Sequence, residues 1–320
     1  MQYTQLGRSG LVVSRIALGC MSYGDPKWRP WVVSADDAPP FYRRALEAGV
    51  NFFDTADMYS LGASEEITGR ALREYGRRDE LVLASKVHFS MGDGPNMAGL
   101  SRKHIVQGCE ASLRRLGVET IDLYQIHRYD PAVPLEETLA ALEHLVRSGK
   151  VRYLGACSMA AYRFMRALGL ADARGWSRFV SMQNHYNLVY REEEREMLPL
   201  CRDEGVGVIP WSPLARGLLA RSSPTAREAS DGLAAQLYDH PADGAVVAAN
   251  ARVAGERGVS PAETALAWLL AQPGVVAPIV GATRLSHLDA AIRAVDLRLT
   301  DDELAALTEP YQPHAVRGWL

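Results

Sequence analysis

Four polar side chains that could do chemistry together stand at or just beyond the ends of short apolar runs. Asp54, Lys86 and His127 each close or directly follow such a run, and Tyr59 comes soon after Asp54. Taken singly, each residue also has an ordinary structural explanation, such as a helix cap, a solvated amine or a packed ring. Because the carboxyl ends of consecutive parallel strands meet at one edge, we expect the four side chains to lie together.

The charges of this group favour proton transfer to a carbonyl oxygen. A Lys86 ammonium shielded from water requires a counter-charge, which Asp54 can supply. A positive Lys86 close to the Tyr59 hydroxyl favours tyrosinate, so we expect the pKa of Tyr59 to be lowered. A tyrosine tuned in this way can donate a proton to a developing alkoxide, while His127 hydrogen-bonds the same oxygen and orients it.

The group contains no electron source of its own. The sequence shows no metal-ligand spacing and no pairing of a nucleophile with a base, so we expect no metal at the site. An acid placed over a carbonyl without a nucleophile indicates that hydride comes from a bound cofactor. A barrel lyase or aldolase with Lys86 as a Schiff-base amine is a rival hypothesis, but pairing with Asp54 keeps the amine protonated and non-nucleophilic.

Short apolar runs alternate with longer segments of helical period, and this pattern indicates an α/β fold. A doubly wound dinucleotide fold should carry a GxGxxG turn after its first strand, and Gly19–Gly24 lacks it. Eight strand–helix units therefore favour a (β/α)8 TIM barrel. Ser64, Ser101 and Ser260 are the expected helix N-caps. The predicted strands are Ile16–Gly19, Asn51–Asp54, Leu81–Lys86, Ile121–Ile126, Tyr153–Cys157, Phe179–Gln183, Gly207–Trp211 and Val275–Val280. The predicted helices are Ala35–Ala48, Ser64–Tyr75, Arg102–Leu116, Leu135–Ser148, Ala160–Leu170, Glu192–Glu204, Pro261–Ala271 and Ser286–Val295.

Several segments lie outside the eightfold pattern. Residues 2–14 are expected to form a β-hairpin that caps the bottom of the barrel, and residues 244–257 an extra helix. Segment 212–243 is long and irregular, which is typical of a functional or mobile loop. The tail from Thr300 begins as a helix and then becomes rich in proline and aromatic residues. Nothing resembling a linker divides the chain, so residues 1–320 are expected to form a single domain.

The composition narrows the class of protein. The chain has 320 residues, with 35 Lys and Arg against 38 Asp and Glu, a formal net charge of −3. No basic surface is implied, so neither nucleic acid nor an anionic membrane is an expected partner. The N-terminus lacks a secretory signal pattern and no apolar run approaches the roughly 18 residues of a membrane span, so we expect a cytoplasmic protein. The four cysteines are expected to be free thiols. One chain gives no indication of the oligomeric state.

The motifs around the four polar residues resemble those of the aldo-keto reductase family. The similarity covers essentially the whole chain in the family's order, and it extends to the branch that includes potassium-channel beta subunits and many bacterial oxidoreductases. Each short motif alone is weak, but seven in order at barrel spacing make a strong signal. The matching segments are Asn51–Tyr59, Leu83–Lys86, Ile121–His127, Gly155–Ser158, Gln183–Leu188, Ile209–Leu219 and Pro278–Thr283.

The resemblance implies an NAD(P)H-dependent oxidoreductase that reduces aldehydes and ketones to alcohols, reversibly. Tyr59 would be the proton donor, Lys86 and Asp54 its tuning pair, and His127 the group that orients the carbonyl. A regulatory or sensor subunit that binds NADP(H) with little turnover, as in the channel-associated relatives, is the alternative.

The resemblance also implies a site for NADP(H), with NAD(H) as an alternative cofactor. Ser158 and Gln183 would hold the nicotinamide carboxamide, and Trp211 would stack on the nicotinamide ring. The loop after the seventh strand would wrap the pyrophosphate. The loop after the eighth strand leads into a helix N-terminus, where anions bind, and would reach the adenosine 2′-phosphate. The residues implied in these loops are Ser212, Leu214, Arg216 and Gly217, then Thr283, Arg284 and His287.

Several positions depart from the family's pattern. Met159 follows Ser158 where many members have Asn, so one carboxamide hydrogen bond is missing or made elsewhere. Ala290 and Ala291 stand where many relatives carry Glu-Asn to hold adenine, and His287 stands where Gln or Arg is usual. We therefore expect weaker or rearranged adenine recognition, which leaves the choice between NADPH and NADH open.

Aromatic residues in several loops could form an apolar wall for the substrate. Ordinary loop packing explains any one of them equally well. If the wall exists, bulky or aromatic aldehydes and ketones are the expected small-molecule substrates. The candidates are Tyr23, Trp28, Pro30 and Trp31 after the first strand, His88, Phe89 and Met91 after the third, and Tyr311, His314 and Trp319 in the tail.

Overall fold

The computed structural model of the chain describes residues 1–220 and 232–318. Trp319 and residues 221–231 of the long segment 212–243 lie outside the described residues. The strands are β1 (Tyr3–Gln5), β2 (Val12–Ser14), β3 (Ala17–Gly19), β4 (Phe52–Asp54), β5 (Val82–Val87), β6 (Ile121–Ile126), β7 (Val151–Cys157), β8 (Phe179–Gln183), β9 (Gly207–Val208) and β10 (Ile279–Val280). The helices are α1 (Pro39–Glu47), α2 (Ala63–Tyr75), α3 (Arg102–Leu116), α4 (Leu135–Arg147), α5 (Ala161–Arg174), α6 (Met197–Asp203), α7 (Gly232–Leu237), α8 (Asp243–Arg257), α9 (Pro261–Ala271), α10 (Leu285–Ala294) and α11 (Asp301–Thr308).

Eight parallel strands, β3 to β10, form the barrel and follow one another in chain order. β10 returns to β3, with Ile279 opposite Ala17. The ring closes between β9 and the residues that lead into β10. There the Val208 N–H donates to Gly274 O over 3.0 Å, and the Val276 N–H donates to Val208 O over 2.8 Å. The predicted (β/α)8 barrel is confirmed.

Two apolar layers hold the barrel together. All six residues of β5 are buried, as expected for a strand with side chains packed on both faces. One set of side chains fills the interior, including Phe52, Val82 and Leu123, while a larger set packs the outer faces of the strands against the helices. A packed interior leaves only the two ends of the barrel available for a site.

The N-terminal hairpin closes the bottom of the barrel, as the sequence predicts. β1 pairs antiparallel with β2. Leu6 and Val13 are fully buried and belong to the same apolar cluster as the interior residue Phe52. The turn depends on Gly7, whose φ is +61° and where a Cβ atom would lie 2.5 Å from Gly205 O. The opposite end of the barrel is therefore the one open to chemistry.

Local sequence signals fix the starts of α3, α9 and α11, each of which has a side-chain N-cap. The Ser101 hydroxyl caps α3 by accepting a hydrogen bond from the His104 N–H, and Ser260 with Glu263 forms a capping box at α9, as predicted. The prediction for Ser64 is wrong, because α2 begins one residue earlier. The Ser64 hydroxyl instead donates to Cys20 O over 2.7 Å and so ties α2 to the barrel.

Other boundaries shift for identifiable reasons. The predicted helix over residues 192–204 divides into a short 3₁₀ turn (Glu192–Glu194) and α6, in which Pro199 fits the first turn because it needs no N–H there. β9 and β10 are shorter than expected. All four cysteines are buried, and none forms a disulfide. Among the helices of the described residues, none has both the length and the apolar character needed to cross a lipid bilayer.

Candidate active site

The ends of three neighbouring strands bring Asp54, Lys86 and His127 to the open end of the barrel. Asp54 is the last residue of β4, Lys86 is close to the end of β5, and His127 directly follows β6. Tyr59 opens a short 3₁₀ turn that follows β4. The Lys86 ammonium donates to Asp54 Oδ2 over 2.6 Å, to Thr55 O over 2.9 Å and to the Tyr59 hydroxyl over 3.1 Å.

The second oxygen of Asp54 is held from the other side of the barrel. Asp54 Oδ1 accepts hydrogen bonds from Gln125 Nε2 over 2.9 Å and from Gln183 Nε2 over 3.0 Å. Gln183 Nε2 also donates to Gln125 Oε1 over 3.1 Å. Both carboxylate oxygens are therefore satisfied although the side chain is only 2% exposed. Such complete pairing is what a buried charge requires.

Gln125 is a site residue that the sequence analysis missed. It lies on β6, two residues before His127, and its side chain points into the interior together with Gln183 of β8. The available signal was a polar residue near the end of the strand, two positions before His127 and therefore on the same face of the strand as Leu123. Gln183 itself was expected to hold a nicotinamide carboxamide, and the structure places its amide in the Asp54 network.

Burial and the neighbouring charges shift the pKa of Lys86 in opposite directions. Burial lowers its pKa, but the Asp54 carboxylate and the neighbouring Tyr59 hydroxyl more than offset that effect, so the pKa is raised overall. Lys86 is therefore an ammonium at neutral pH. A protonated amine cannot act as a Schiff-base nucleophile, which argues against the lyase hypothesis.

The pKa of Tyr59 moves in the opposite direction from the one expected. Burial raises it above its ordinary value, the Lys86 charge lowers it, and the Asp54 charge raises it again; the result is a raised pKa. A lowered pKa is expected for Tyr59 only if the charge of Lys86 is considered and that of its partner Asp54 is left out. Because Asp54 neutralises the ammonium and the phenol ring is buried, Tyr59 is protonated at neutral pH.

His127 is neutral in this environment. Burial and the positive charges of Lys86 and Arg128 hold its pKa well below the ordinary value. Its ring meets the Tyr59 ring edge-on, with 5.8 Å between the centroids. The neutral imidazole keeps one N–H, so it can donate a hydrogen bond without delivering a full positive charge.

The predicted aromatic wall is only partly assembled around these residues. The Phe89 ring lies 4.8 Å from that of His127, and the Trp28 ring lies 6.4 Å from that of Tyr59. The Trp31 ring lies 5.9 Å from the Arg216 guanidinium carbon. Tyr23 does not reach the mouth. It is fully buried in the core, and a ring without exposed surface offers nothing to a substrate.

The Trp211 indole ring, here called the Trp211 plate, is held beside the mouth of the barrel by contacts to its N–H and to its face. Its indole N–H donates to the Ser158 hydroxyl over 2.9 Å. Its ring stacks on His185, with 4.3 Å between the centroids, and His185 stacks in turn on Tyr190. The His185 Nε2 atom lies 2.6 Å from the Tyr238 hydroxyl. No sequence pattern indicates this stack, because its members come from three segments that are distant along the chain. His185 and Tyr190 follow β8, Trp211 follows β9, and Tyr238 follows α7.

The segment after Trp211 has a backbone suited to anions. Ser212, Ala215, Arg216 and Gly217 all have φ between 48° and 106°. Left-handed residues next to right-handed ones turn successive N–H groups toward one side and form a concave anion-binding surface. Leu214 packs against the hydrophobic core and so anchors this segment to the barrel. These features fit a pyrophosphate group.

The start of α10 also has features suited to an anion. Arg284 is the N-cap residue of this helix, and Arg284 and His287 are exposed while Thr283 is half-buried. The helix N-terminus carries unsatisfied N–H groups and the positive end of the helix dipole. Ala290 and Ala291 are buried in the same helix. A phosphate monoester is the ligand that this charge pattern fits.

Comparison with known proteins agrees with this geometry. Residues 15–312 match the Aldo/keto reductase family. The chain is 43% identical to versiconal hemiacetal acetate reductase of Aspergillus parasiticus, over 99% of this chain and 98% of that protein. It is 41% identical to the aldo-keto reductase AMT2 of Alternaria alternata, over 99% and 93% of the two chains. It is also 43% identical, over 99% and 97%, to a Schizosaccharomyces pombe protein provisionally named an aryl-alcohol dehydrogenase. The chain therefore belongs to the aldo-keto reductase family of oxidoreductases.

Proposed function

We propose that this protein is an NADP(H)-dependent carbonyl reductase in which Tyr59 donates the proton. The observation that carries the proposal is the buried chain of contacts from Asp54 through Lys86 to the Tyr59 hydroxyl, with separations of 2.6 and 3.1 Å. The family membership supports carbonyl reduction as the reaction class. Residues 1–320 would act as one such domain.

The raised pKa of Tyr59 suits a proton donor. The phenol carries its proton at neutral pH and releases it only when negative charge develops on the substrate oxygen. Lys86 then lies 3.1 Å from the tyrosinate oxygen and stabilises it. Asp54 keeps Lys86 charged throughout, and His127 donates a hydrogen bond that orients the carbonyl.

A bound nicotinamide cofactor would supply the hydride. Ser158 and Gln183 are the residues proposed to hold the carboxamide, and the Trp211 plate is proposed to carry the ring. The backbone from Ser212 to Gly217, with Leu214 and Arg216, would hold the pyrophosphate. Thr283, Arg284 and His287 would hold the 2′-phosphate, which favours NADPH over NADH because Arg284 offers a paired donor geometry for phosphate.

The rings near the mouth of the barrel support aromatic carbonyl compounds as the substrate class. The Trp28 ring lies beside that of Tyr59 and the Phe89 ring beside that of His127, while Trp31 lies beside the Arg216 guanidinium. Flat aromatic aldehydes and ketones pack well against such rings. The relative provisionally named an aryl-alcohol dehydrogenase supports the same class. We place the protein in the cytoplasm, in keeping with its four unpaired cysteines.

A screen of NADPH oxidation tests this proposal. The full chain is incubated with NADPH, or with NADH, and a panel of aromatic aldehydes, aliphatic aldehydes, ketones and quinones. We expect consumption that depends on the carbonyl and is faster with NADPH. Tight NADPH binding without turnover on any carbonyl would contradict it and support a regulatory subunit. A carbonyl adduct trapped on Lys86 by borohydride would support the lyase instead.

A further inference from the structure

A cluster of metal-ligating side chains lies outside the site described above. His240 precedes α8, Asp243 is its first residue, and His314 belongs to the C-terminal tail. One ligand atom from each residue lies within 4.8 Å of the others. His314 Nε2 lies 2.8 Å from Asp243 Oδ1, and the His240 and His314 rings are 4.3 Å apart.

Two atoms of this cluster are buried without a hydrogen-bond partner. Among the described residues, neither Asp243 Oδ2 nor His314 Nδ1 finds one. The side chains are only 8% and 4% exposed, respectively. An unsatisfied buried polar atom destabilises the folded protein, so its retention requires a reason. A carboxylate oxygen and imidazole nitrogens are also typical ligands for a transition metal.

We propose that His240, Asp243 and His314 bind one zinc ion. Two imidazoles and a carboxylate match the preferences of Zn²⁺, whereas Mg²⁺ and Ca²⁺ prefer oxygen ligands alone. Zinc bonds of about 2.0–2.2 Å place two ligands at most about 4 Å apart, so small side-chain rotations bring these atoms into range.

The zinc ion would fix the tail against the rest of the protein. The tail already docks through Glu192, whose Oε1 accepts hydrogen bonds from the Tyr311 hydroxyl over 2.6 Å and from the His314 N–H over 2.7 Å. Further along, the Arg317 N–H donates to the Tyr190 hydroxyl over 2.8 Å. Tyr190 is part of the stack that holds Trp211.

The docked tail reaches the Trp211 plate itself. A Cβ atom placed on Gly318 would lie 3.0 Å from Trp211 Cζ2. The proposed zinc site therefore lies four residues before the point where the tail touches a predicted cofactor residue. Zinc binding would order the tail next to Trp211, and this coupling does not require the protein to be a reductase.

Direct titration tests the site. Zn²⁺ is added to tag-free, chelator-treated full-length protein in a calorimeter, with Mg²⁺ as the comparison ion. We expect one equivalent of Zn²⁺ and no Mg²⁺ binding. His314→Gln and His240→Gln should each weaken Zn²⁺ binding at least about tenfold. The matched control is His144→Gln, because His144 is an exposed histidine on α4 and should leave binding unchanged.

Hydrogen exchange provides a second readout on the tail. Zn²⁺ should slow amide exchange in residues 311–318 of the wild-type protein and have no such effect in His240→Gln, which leaves the tail sequence intact. Three results would overturn the proposal: no stoichiometric Zn²⁺ binding by folded wild-type protein, equal loss of binding in His144→Gln, or full binding in both ligand variants.

Discussion

The Lys86 ammonium donates a hydrogen bond to the Tyr59 hydroxyl over 3.1 Å, while both side chains are buried. The same ammonium is neutralised by Asp54 at 2.6 Å. The phenol therefore faces a cation whose charge is largely compensated. This arrangement keeps Tyr59 protonated at rest and provides a positive neighbour once its proton has left.

The first prediction concerns the buried ion pair. Asp54→Asn removes the counter-charge and leaves the Lys86 ammonium buried and unpaired, so the free energy of unfolding should fall by about 3–5 kcal/mol. Urea denaturation measures this change. The control is Glu110→Gln, which breaks the partly exposed pair with Lys150 and should change the free energy of unfolding far less, because solvent screens such a pair. Equal losses in the two variants would contradict the account.

The second prediction concerns the pH dependence of carbonyl reduction. The pKa of Tyr59 is raised above its ordinary value of about 10. Reduction needs the protonated phenol, so kcat/KM should be level through pH 7–9 and decline only as the pH rises through the raised pKa. Because the pKa of His127 is held well below 6.5, no loss from its protonation is expected near pH 6.5.

A pH profile of kcat/KM checks this directly, since that ratio reports groups of the free enzyme. A decline centred between pH 7 and 8 would mean that the pKa of Tyr59 is lowered, as a count of the Lys86 charge alone suggests. The control is Tyr162→Phe, which removes a largely exposed hydroxyl and should leave the profile unchanged.

The strand-end residues were predictable from sequence, and the reasons are physical. Neighbouring parallel strands that end at the same edge place Asp54, Lys86 and His127 side by side. This placement does not depend on where the connecting helices begin and end. The pKa of Tyr59 was not predictable, because it depends on burial and on the distance from Lys86 to Asp54. Gln125 was missed because a polar residue within a strand can face either the interior or the helices.

Aromatic side chains after a strand were the least predictable part of the site. Tyr23 and Trp28 belong to the same loop, yet one packs in the core against Phe41 and Tyr42 and the other lies beside Tyr59. The spacing of aromatic residues along the sequence does not determine whether a ring packs into the core or lies at the mouth of the barrel.

The third prediction concerns the choice of cofactor. Arg284→Ala removes an exposed guanidinium at the N-terminus of α10 and should raise the KM for NADPH roughly tenfold or more, as expected for loss of a charge-assisted hydrogen bond. The KM for NADH should change little. Arg252→Ala, at an exposed position on α8, is the control. Equal effects on both cofactors would place the 2′-phosphate elsewhere.

The fourth prediction concerns the aromatic wall. Trp28→Ala should raise the KM for aromatic aldehydes several-fold, because stacked aromatic contacts contribute about 0.5–1.5 kcal/mol beyond the area that they bury. Small aliphatic aldehydes should be affected less. Trp31→Ala, which removes the ring beside the Arg216 guanidinium, should also raise these KM values. Steady-state kinetics on a matched panel measures both. Unchanged KM values in both variants would remove these rings from the substrate site.

The most direct measurement is the rate of NADPH oxidation by Tyr59→Phe with a saturating aldehyde, alongside the NADPH dissociation constant. The variant removes one hydroxyl and keeps the ring. The account predicts a fall in kcat of about 10²–10⁴-fold, typical for loss of a general acid, with NADPH affinity unchanged. A Tyr59→Phe protein that retains wild-type kcat would show that the proton comes from another group.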